Sequence, residues 1–315
     1  MGEKASAIFL PPYYNSRGSS FYFQTYMKVQ EVPCKTILTP TGGFLGEGFT
    51  HTINLYCGCA LGNTLCGLYC YAQWIPYHLR GRPWGSFLDV KEGVLEAYRR
   101  QYDRLKHPKS GEPKPLKIFM SSVTEPYPPQ ERKFRRTRRL LEEMLARPPD
   151  FLVIQSHTPL IVDDVQVLRE LHAKCKLQIN ITVETDQPAL PPPFPRQAYT
   201  PKSRLHALQT LHANGLHTVA TVSPLLPLND PWQFAKDLEA GCDRVILDHY
   251  LLGDGSHEGK RTKQTLLPQF LNEVGFKDWT TLDKFYEIVG VFKEVFQDES
   301  RVGVSQQGFN SHGQR

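Results

Sequence analysis

Short apolar runs alternate with helix-length segments along most of the chain. The apolar runs predict strands at His51–Tyr56, Lys117–Met120, Phe151–Gln155, Leu177–Val183, Thr218–Val222 and Arg244–Leu247. The longer segments predict helices at Asp89–Arg104, Glu131–Ala146, Val165–Ala173, Pro201–Asn214 and Pro231–Ala240. Apolar runs of this kind, each followed by a helix, are typical of parallel strands joined by right-handed βα units.

These repeated units predict an α/β fold: a partial (β/α)6 barrel of the TIM type, with a doubly wound sheet as the alternative. Residues 1–40, which begin with a Tyr-, Ser- and Pro-rich stretch, predict an N-terminal arm. Residues 41–250 predict the core barrel, and residues 251–315 a C-terminal extension with an amphipathic helix from Thr281 to Phe296. In such a barrel the loops that follow the strands gather at one face and carry the chemistry.

Composition indicates a chain with an ordinary core. Of its 315 residues, 40% are hydrophobic and 22% charged, which is usual for a globular protein. The sequence has no apolar run long enough for a membrane span and no secretory signal pattern at its start, so we expect a cytoplasmic protein without membrane partners. The net charge is +5, and the basic run Arg132–Arg139 favours a solvated helix face, with nucleic acid as a further partner to consider.

Cysteines are concentrated in one segment. Residues 57–70 read CGCALGNTLCGLYC, which places four of the seven cysteines within one loop. A disulfide between Cys57 and Cys59 would close a loop of one residue, which violates the preferred Cα separation. In a reducing compartment, clustered thiols bind metal or do redox chemistry. The segment therefore predicts a soft metal ion or an iron–sulfur cluster.

Further motifs surround this segment in a fixed order. Asn54, Tyr56 and Gly58 precede Cys59, and Tyr71-Ala72 follow Cys70. Downstream lie SSVTEPYPPQE at 121–131, Thr137-Arg138 before Leu141-Glu142, IQSHT at 154–158, ITVETD at 181–186, Arg204-Leu205 and SPLLP at 223–227. Over roughly residues 40–250 this order resembles the radical SAM enzymes, in particular their spore photoproduct lyase-like branch.

The resemblance implies an enzyme with two cofactors, a [4Fe–4S] cluster and S-adenosylmethionine. Reductive cleavage of S-adenosylmethionine would give a 5′-deoxyadenosyl radical that acts on an unidentified substrate, with an external one-electron reductant of the flavodoxin or ferredoxin type as partner. The implied cluster ligands are Cys59, Cys66 and Cys70, with Cys57 as an alternative first ligand. The intervals between these cysteines are longer than is usual in the superfamily, and we interpret the surplus as a loop insertion.

The resemblance also assigns residues around the cofactors. Thr124 would contact the carboxylate or amino group of S-adenosylmethionine and His157 the same carboxylate. Thr182 would also contact that cofactor. Each has a structural alternative: a turn-capping hydroxyl, a hydrogen-bonding histidine and a β-branched strand residue. Tyr69 and Tyr71 flank the last ligand and are candidates for catalytic radical transfer, with packing over the cluster as the alternative.

A second function class uses the same cysteines differently. Cys57, Cys59, Cys66 and Cys70 would form a zinc knuckle in a nucleic-acid-binding protein, although the usual paired Cys-x2-Cys arms are absent. The lesion-repairing relatives place a hydrogen-donating cysteine in the loop after the second strand. Here that loop carries Ser122, so the resemblance supports radical generation better than DNA repair.

Overall fold

The computed structural model describes residues 13–14, 20–21, 27–75, 79–252 and 256–310. Its strands are β1 Tyr13–Tyr14, β2 Ser20–Phe21, β3 Lys28–Pro33, β4 Thr39–Pro40, β5 His51–Ile53, β6 Tyr56–Gly58, β7 Phe87–Glu92, β8 Lys117–Met120, β9 Phe151–Ser156, β10 Lys176–Thr182, β11 Thr218–Val222, β12 Arg244–Leu247 and β13 Val302–Val304. Strands β1 and β2 pair antiparallel. The rest of the predicted arm before residue 27 lies outside the described residues.

The α-helices are α1 Leu65–Tyr69, α2 Val94–Lys106, α3 Glu131–Phe134, α4 Arg136–Ala146, α5 Val165–His172, α6 Pro201–Ala213, α7 Pro231–Glu239, α8 Lys260–Lys263, α9 Leu267–Glu273, α10 Leu282–Phe296 and α11 Ser305–Asn310. The side chains of Thr200, Asp230 and Thr281 accept hydrogen bonds from the first turns of α6, α7 and α10. These caps satisfy amides that a helix leaves unpaired at its start. None of the described helices is long and apolar enough to cross a membrane.

An eight-stranded sheet forms the centre of the molecule, in the order β4-β5-β8-β9-β10-β11-β12-β13. Neighbours from β5 to β13 are parallel, and β4 pairs antiparallel with β5. The predicted parallel α/β core is therefore confirmed, and the sheet extends beyond it at both edges. Among the described strands, β4 and β13 are not paired with each other. Instead α11 contacts the turn Gly43–Glu47, where Asn310 Nδ2 donates to Phe44 O over 2.6 Å. Barrel closure stays a prediction.

Alternate residues of the strands face opposite sides of this sheet. On β8, Ile118 and Met120 belong to the main hydrophobic core, whereas Phe119 packs in a separate small cluster with Val153 of β9. On β10 the corresponding side is polar, and Asn180 Nδ2 donates to Gln155 Oε1 over 3.0 Å. This polar side lies under the candidate site.

A second sheet, in the order β3-β7-β6, stands beside the first. The predicted helix Asp89–Arg104 is wrong at its start, because Phe87–Glu92 is a strand. Asp89 is fully buried there and accepts two hydrogen bonds from Arg82, at 2.8 and 2.5 Å, which fix its carboxylate within the sheet. Gly93 then adopts a φ of 74°, which ends the strand and allows α2 to begin.

Candidate functional site

One cavity lies where the cysteine segment meets the loops after the central strands. The residues predicted from the sequence to form the site all line it: Cys59, Cys66, Cys70, Tyr69, Tyr71, Thr124, His157 and Thr182. Cys57 is not among the lining residues. The structure thus brings the predicted residues together, while their roles as ligands and catalytic groups stay predictions.

Gly58 separates Cys57 from Cys59. Cys57 lies on β6 opposite Asp89 of β7. Gly58 follows with a φ of 78°, and a Cβ at this position would lie 2.4 Å from the carbonyl oxygen of Phe87. Only glycine combines this left-handed conformation with so close a backbone contact. The chain turns here, and Cys59 is the first thiol of the segment that lines the cavity.

A single helical turn brings Cys66 and Cys70 to the same cavity. Cys66 lies in α1, and Cys70 follows the last residue of that helix. Side chains four residues apart share one face of a helix, so the interval between these two thiols is that of one turn. Gln73 Nε2 donates to the carbonyl oxygens of Gly67 and Cys70, at 3.2 and 2.9 Å, and satisfies the end of the helix.

The inserted loop before α1 folds back onto that helix. A Cβ on Gly67 would lie 1.9 Å from the carbonyl oxygen of Gly62, so no side chain fits between loop and helix. Gly62 itself approaches Gly85, where a Cβ would lie 2.6 Å from that residue's Cα. The long interval between Cys59 and Cys66 is therefore a packed loop.

This contact makes Gly67 sensitive to substitution. We expect Gly67→Ala to lower the free energy of unfolding by about 1–3 kcal/mol, because the methyl group must displace the loop. Gly290→Ala is the matched control: Gly290 lies inside α10 with nothing within 4 Å of an added Cβ, and alanine there should raise the same free energy by about 0.5–1 kcal/mol. Urea unfolding measures both. Equal effects would contradict the packing of the loop on α1.

Burial keeps the three thiols that line the cavity protonated in the protein without a bound metal. Burial raises the pKa of Cys59 to about 12 and that of Cys70 to about 11, and it raises the pKa of Cys66 well above its usual range. Neighbouring thiols add to the shifts at Cys59 and Cys66. Because thiolates are the metal-binding form, a metal that binds here must displace protons.

The thiols of the cavity wall can be compared with the two kinds of metal site that the sequence predicts. Among the residues that the structure describes, no group of three or more His, Cys, Asp or Glu side chains is arranged to hold one metal ion. The zinc knuckle of the alternative interpretation therefore has no support, and its fourth cysteine, Cys57, does not line the cavity. An iron–sulfur cluster distributes thiolate ligands over several irons. Three thiols around one cavity fit that donor set.

A buried network stands beside Cys66. Glu184 accepts hydrogen bonds from Tyr69 and Arg204, and its Oε1 lies 3.4 Å from His157 Nδ1. The same His157 nitrogen lies 3.8 Å from Cys66 Sγ. Burial alone would raise the pKa of the Glu184 carboxyl, but Arg204, His157 and Tyr69 hold it well below its usual range. Glu184 thus stays ionised and fixes two residues of the cavity wall.

The loop after β8 is ordered by Asn54, which follows β5. Asn54 Oδ1 accepts from Val123 N at 3.2 Å and from Thr124 Oγ1 at 3.4 Å, while its Nδ2 donates to Ser122 Oγ at 3.3 Å. Tyr71 donates its hydroxyl to the carbonyl oxygen of Ser122. Asn54 and Tyr71 therefore hold in place the loop that presents Thr124 to the cavity.

Thr182 is part of the polar side of the sheet. Its Oγ1 accepts a 2.7 Å hydrogen bond from Gln155 and lies 2.8 Å from the hydroxyl oxygen of Thr221.

Glu125, which the sequence did not single out, also lines the cavity and accepts a 2.8 Å hydrogen bond from the amide of His157. Burial raises the pKa of Glu125. Thr182 and Glu125 are thus both held by hydrogen bonds to neighbouring residues before any ligand binds.

Comparison with known proteins gives two curated relatives and a fold. The chain matches no family model. It is 28% identical over 180 residues to an uncharacterized protein of Methanocaldococcus jannaschii. The matched residues make up 57% of this chain and 62% of that relative. It is 31% identical over 161 residues to an uncharacterized protein of Acidianus two-tailed virus. This match covers 50% of this chain and 49% of that relative. The chain thus spans about half to three fifths of the length of these relatives.

Solved structures of spore photoproduct lyase variants share the architecture. One variant superimposes with a TM-score of 0.56 at 13% identity, over 89% of this chain and 82% of that chain. A second, with bound AdoMet and dinucleoside spore photoproduct, gives a TM-score of 0.55 at 11% identity over the same shares. At such identities the likeness concerns the fold alone. The chain shares the fold of these solved structures.

Proposed function

We propose that this protein is a radical SAM enzyme, which binds a [4Fe–4S] cluster through Cys59, Cys66 and Cys70 and cleaves S-adenosylmethionine reductively. The observation that carries the proposal is the convergence of these three thiols on one cavity, within the radical SAM fold. The intervals between them are unusual, but a packed loop and one helical turn account for the surplus.

When both are bound, the cluster and S-adenosylmethionine supply a 5′-deoxyadenosyl radical after one-electron reduction, which an external ferredoxin- or flavodoxin-type protein would provide. The chain's own contribution is to bind, orient and exclude water. Thr124, His157 and Thr182 line the cavity beside the thiols and are our candidates for contacts with S-adenosylmethionine. Tyr69, held by Glu184, and Tyr71, held by the Ser122 carbonyl, form part of the wall.

Nucleic-acid binding through the basic run has less support. Arg136 is paired with Glu31, Arg138 Nη1 lies 2.8 Å from Asp164 Oδ1, and Arg132 lies 3.9 Å from Asp163. Three of the six basic residues of the run thus have acidic partners, which offset about half of the charge that would attract a phosphate backbone. The pairing favours a solvated helix face over a phosphate-binding patch.

The test is anaerobic reconstitution of the purified full chain with iron and sulfide. We expect a brown protein with iron in [4Fe–4S] stoichiometry, which forms 5′-deoxyadenosine from S-adenosylmethionine when dithionite is added. A reconstituted protein without iron, or an iron-loaded protein that forms no 5′-deoxyadenosine, would contradict the proposal. A colourless protein that retains zinc would instead support the knuckle.

A further inference from the structure

A second cavity, the basal cavity, lies at the opposite edge of the central sheet from the thiols. It has a volume of about 1240 Å³, and the first residues of β10, β12 and β13 line it. On β10, Lys176 lines the basal cavity and Thr182 lines the cavity with the thiols. This strand has 7 residues, so its two ends are about 20 Å apart. The basal cavity is therefore separate from the proposed cluster site.

Positive side chains outnumber carboxylates in the described wall of the basal cavity. Its lysines and arginines are Lys176, Arg244, Lys293 and Arg301, and its carboxylates are Glu239, Asp243 and Glu299. With neutral histidines, four cations stand against three carboxylates. His172, His212 and His217 also line the cavity and add positive charge when they are protonated. The described wall is therefore net positive.

Two of the carboxylates form ion pairs within the wall. Arg301 Nη1 lies 2.7 Å from Glu239 Oε1, and Lys293 Nζ lies 3.1 Å from Glu299 Oε2. The guanidinium of Arg301 also donates to the carbonyl oxygens of Cys242 and Asp243, at 3.0 and 2.9 Å. These contacts give Arg301 a structural role and offset the charges of both carboxylates.

The third carboxylate, Asp243, is held by its own neighbours. Its Oδ2 accepts a 2.8 Å hydrogen bond from the amide of Thr218 and lies 3.2 Å from His217 Nδ1 and 3.6 Å from His212 Nδ1. Burial alone would raise the pKa of Asp243, but His217 and the Thr218 amide lower it to about 2. Asp243 is therefore ionised at neutral pH, beside groups that stabilise its charge.

Arg244 brings a buried positive charge to the start of β12. It is 7% exposed, and its Nε donates to the carbonyl oxygen of Ser300 over 3.3 Å. A Cβ on Gly303, which also lines the cavity, would lie 3.5 Å from Arg244 Nη2. Burial lowers the pKa of Arg244, because the charged form loses hydration. An anion beside this guanidinium would stabilise its charged form.

Lys176 lies at the start of β10, where it is exposed. Its Nζ lies 5.4 Å from the centre of the Phe151 ring, in a cation–π contact that holds the ammonium group near the strand ends. Only β11 lies between β10 and β12, so the two strands are about 10 Å apart. The long side chains of Lys176 and Arg244 can therefore approach one anion from two sides.

From these observations we propose that the basal cavity binds the phosphate group of a small phosphate monoester through Lys176 and Arg244. A guanidinium matches the oxygen atoms of phosphate with several N–H donors, and an ammonium group adds a point charge. The cavity is larger than the about 300–1,000 Å³ of ordinary ligand sites, so it has room for the organic part of the ester. None of the three thiols proposed as cluster ligands lines its described wall. The inference is thus independent of the proposed function.

The test is titration of the full chain, without reconstitution, with methyl phosphate and methyl sulfate. The two esters have similar shapes, but at about pH 8 methyl phosphate carries nearly two negative charges, because its second pKa is about 6. Methyl sulfate carries one. Binding is followed through the methyl proton NMR signal. We expect methyl phosphate to bind with a Kd of about 1 mM or tighter, and at least about fivefold more tightly than methyl sulfate, because its second charge meets a net positive wall.

Substitutions locate the site. Lys176→Met and Arg244→Met should each weaken methyl phosphate binding by about tenfold or more, as expected for the loss of a hydrogen bond to a charged group. Lys117→Met is the matched control: Lys117 is the exposed first residue of β8 at the same edge of the sheet, but it does not line the basal cavity. Its Kd should stay within about twofold of the unsubstituted chain. Because Lys176 is exposed, Lys176→Met tests the site even if Arg244→Met does not fold.

Three results would overturn the inference. One is the absence of detectable methyl phosphate binding to the unsubstituted chain. Another is binding in Lys176→Met that equals binding in the unsubstituted chain, or a loss in Lys117→Met as large as that in Lys176→Met, which would indicate a general effect of net charge. The last is methyl sulfate binding as tight as that of methyl phosphate, which would exclude a site for the phosphate dianion.

Discussion

Alanine in place of Cys59, Cys66 or Cys70 is expected to remove most of the iron from the reconstituted protein and to abolish 5′-deoxyadenosine formation. Each thiol lines the cavity, and a cluster that has lost one of three protein ligands is released or left unable to function. Cys57→Ala should leave a cluster that can be reconstituted, because Cys57 does not line the cavity. Iron per chain and 5′-deoxyadenosine yield measure both effects.

Cys175→Ala provides a further control, because that partly buried thiol does not line the cavity. It should match the unsubstituted chain in iron content. If Cys57→Ala loses its iron while Cys59→Ala retains it, our assignment of the first ligand is wrong. That result would also mean that the turn at Gly58 differs in the iron-loaded protein.

Removal of the cation beside Glu184 is expected to have the largest effect on stability. Arg204 and Glu184 are 4% and 2% exposed. Arg204→Met should lower the free energy of unfolding by about 3–5 kcal/mol, because it leaves a buried carboxylate without its cation. Arg99→Met is the matched control: Arg99 pairs with Glu143, but its side chain is 46% exposed, so the loss should stay below about 1 kcal/mol. Urea unfolding at neutral pH compares them.

The direction in which pH changes the free energy of unfolding follows from the pKa of Glu184. In the unsubstituted chain the pKa of Glu184 is depressed, so its contribution to stability is present above the unfolded-state pKa of about 4.3 and is lost as the pH falls through the lower folded-state value. Without Arg204, burial should raise that pKa, and protonation then relieves the buried charge. The difference in the free energy of unfolding between Arg204→Met and the unsubstituted chain should therefore shrink as the pH falls toward about 4. A difference that stays constant would contradict the role of Arg204.

The central strands were predictable because each is a short apolar run followed by a helix. Lys117–Met120, Thr218–Val222 and Arg244–Leu247 agree with the structure at both ends. The edge strands β4 and β13 could not be predicted, because two or three residues carry no periodicity. The strand Phe87–Glu92 was assigned in part to a helix. Its Asp89 is buried only because Arg82 and Gln30 pair with it in the fold.

The site was predictable where its residues are close in sequence. The thiols lie within one segment, and the resemblance placed the loops that meet them. The network around Glu184 could not be predicted in the same way, because Glu184 is 20 residues from Arg204 and 115 from Tyr69. Only the fold makes them neighbours. The same is true of the basal cavity, where Lys176 and Arg244 begin two different strands.

The contact between α11 and the Gly43–Glu47 turn has a consequence for biosynthesis. Phe44 and Phe309 both line the cavity, and the hydrogen bond beside them joins residues 266 positions apart. On the ribosome the cysteine segment emerges long before residue 309, and at ordinary translation rates the delay is on the order of ten seconds or more. During that time the part of the cavity wall that Phe309 supplies is missing. Under the proposed function, a cluster would therefore have time to reach the nascent chain before this part of the wall is complete.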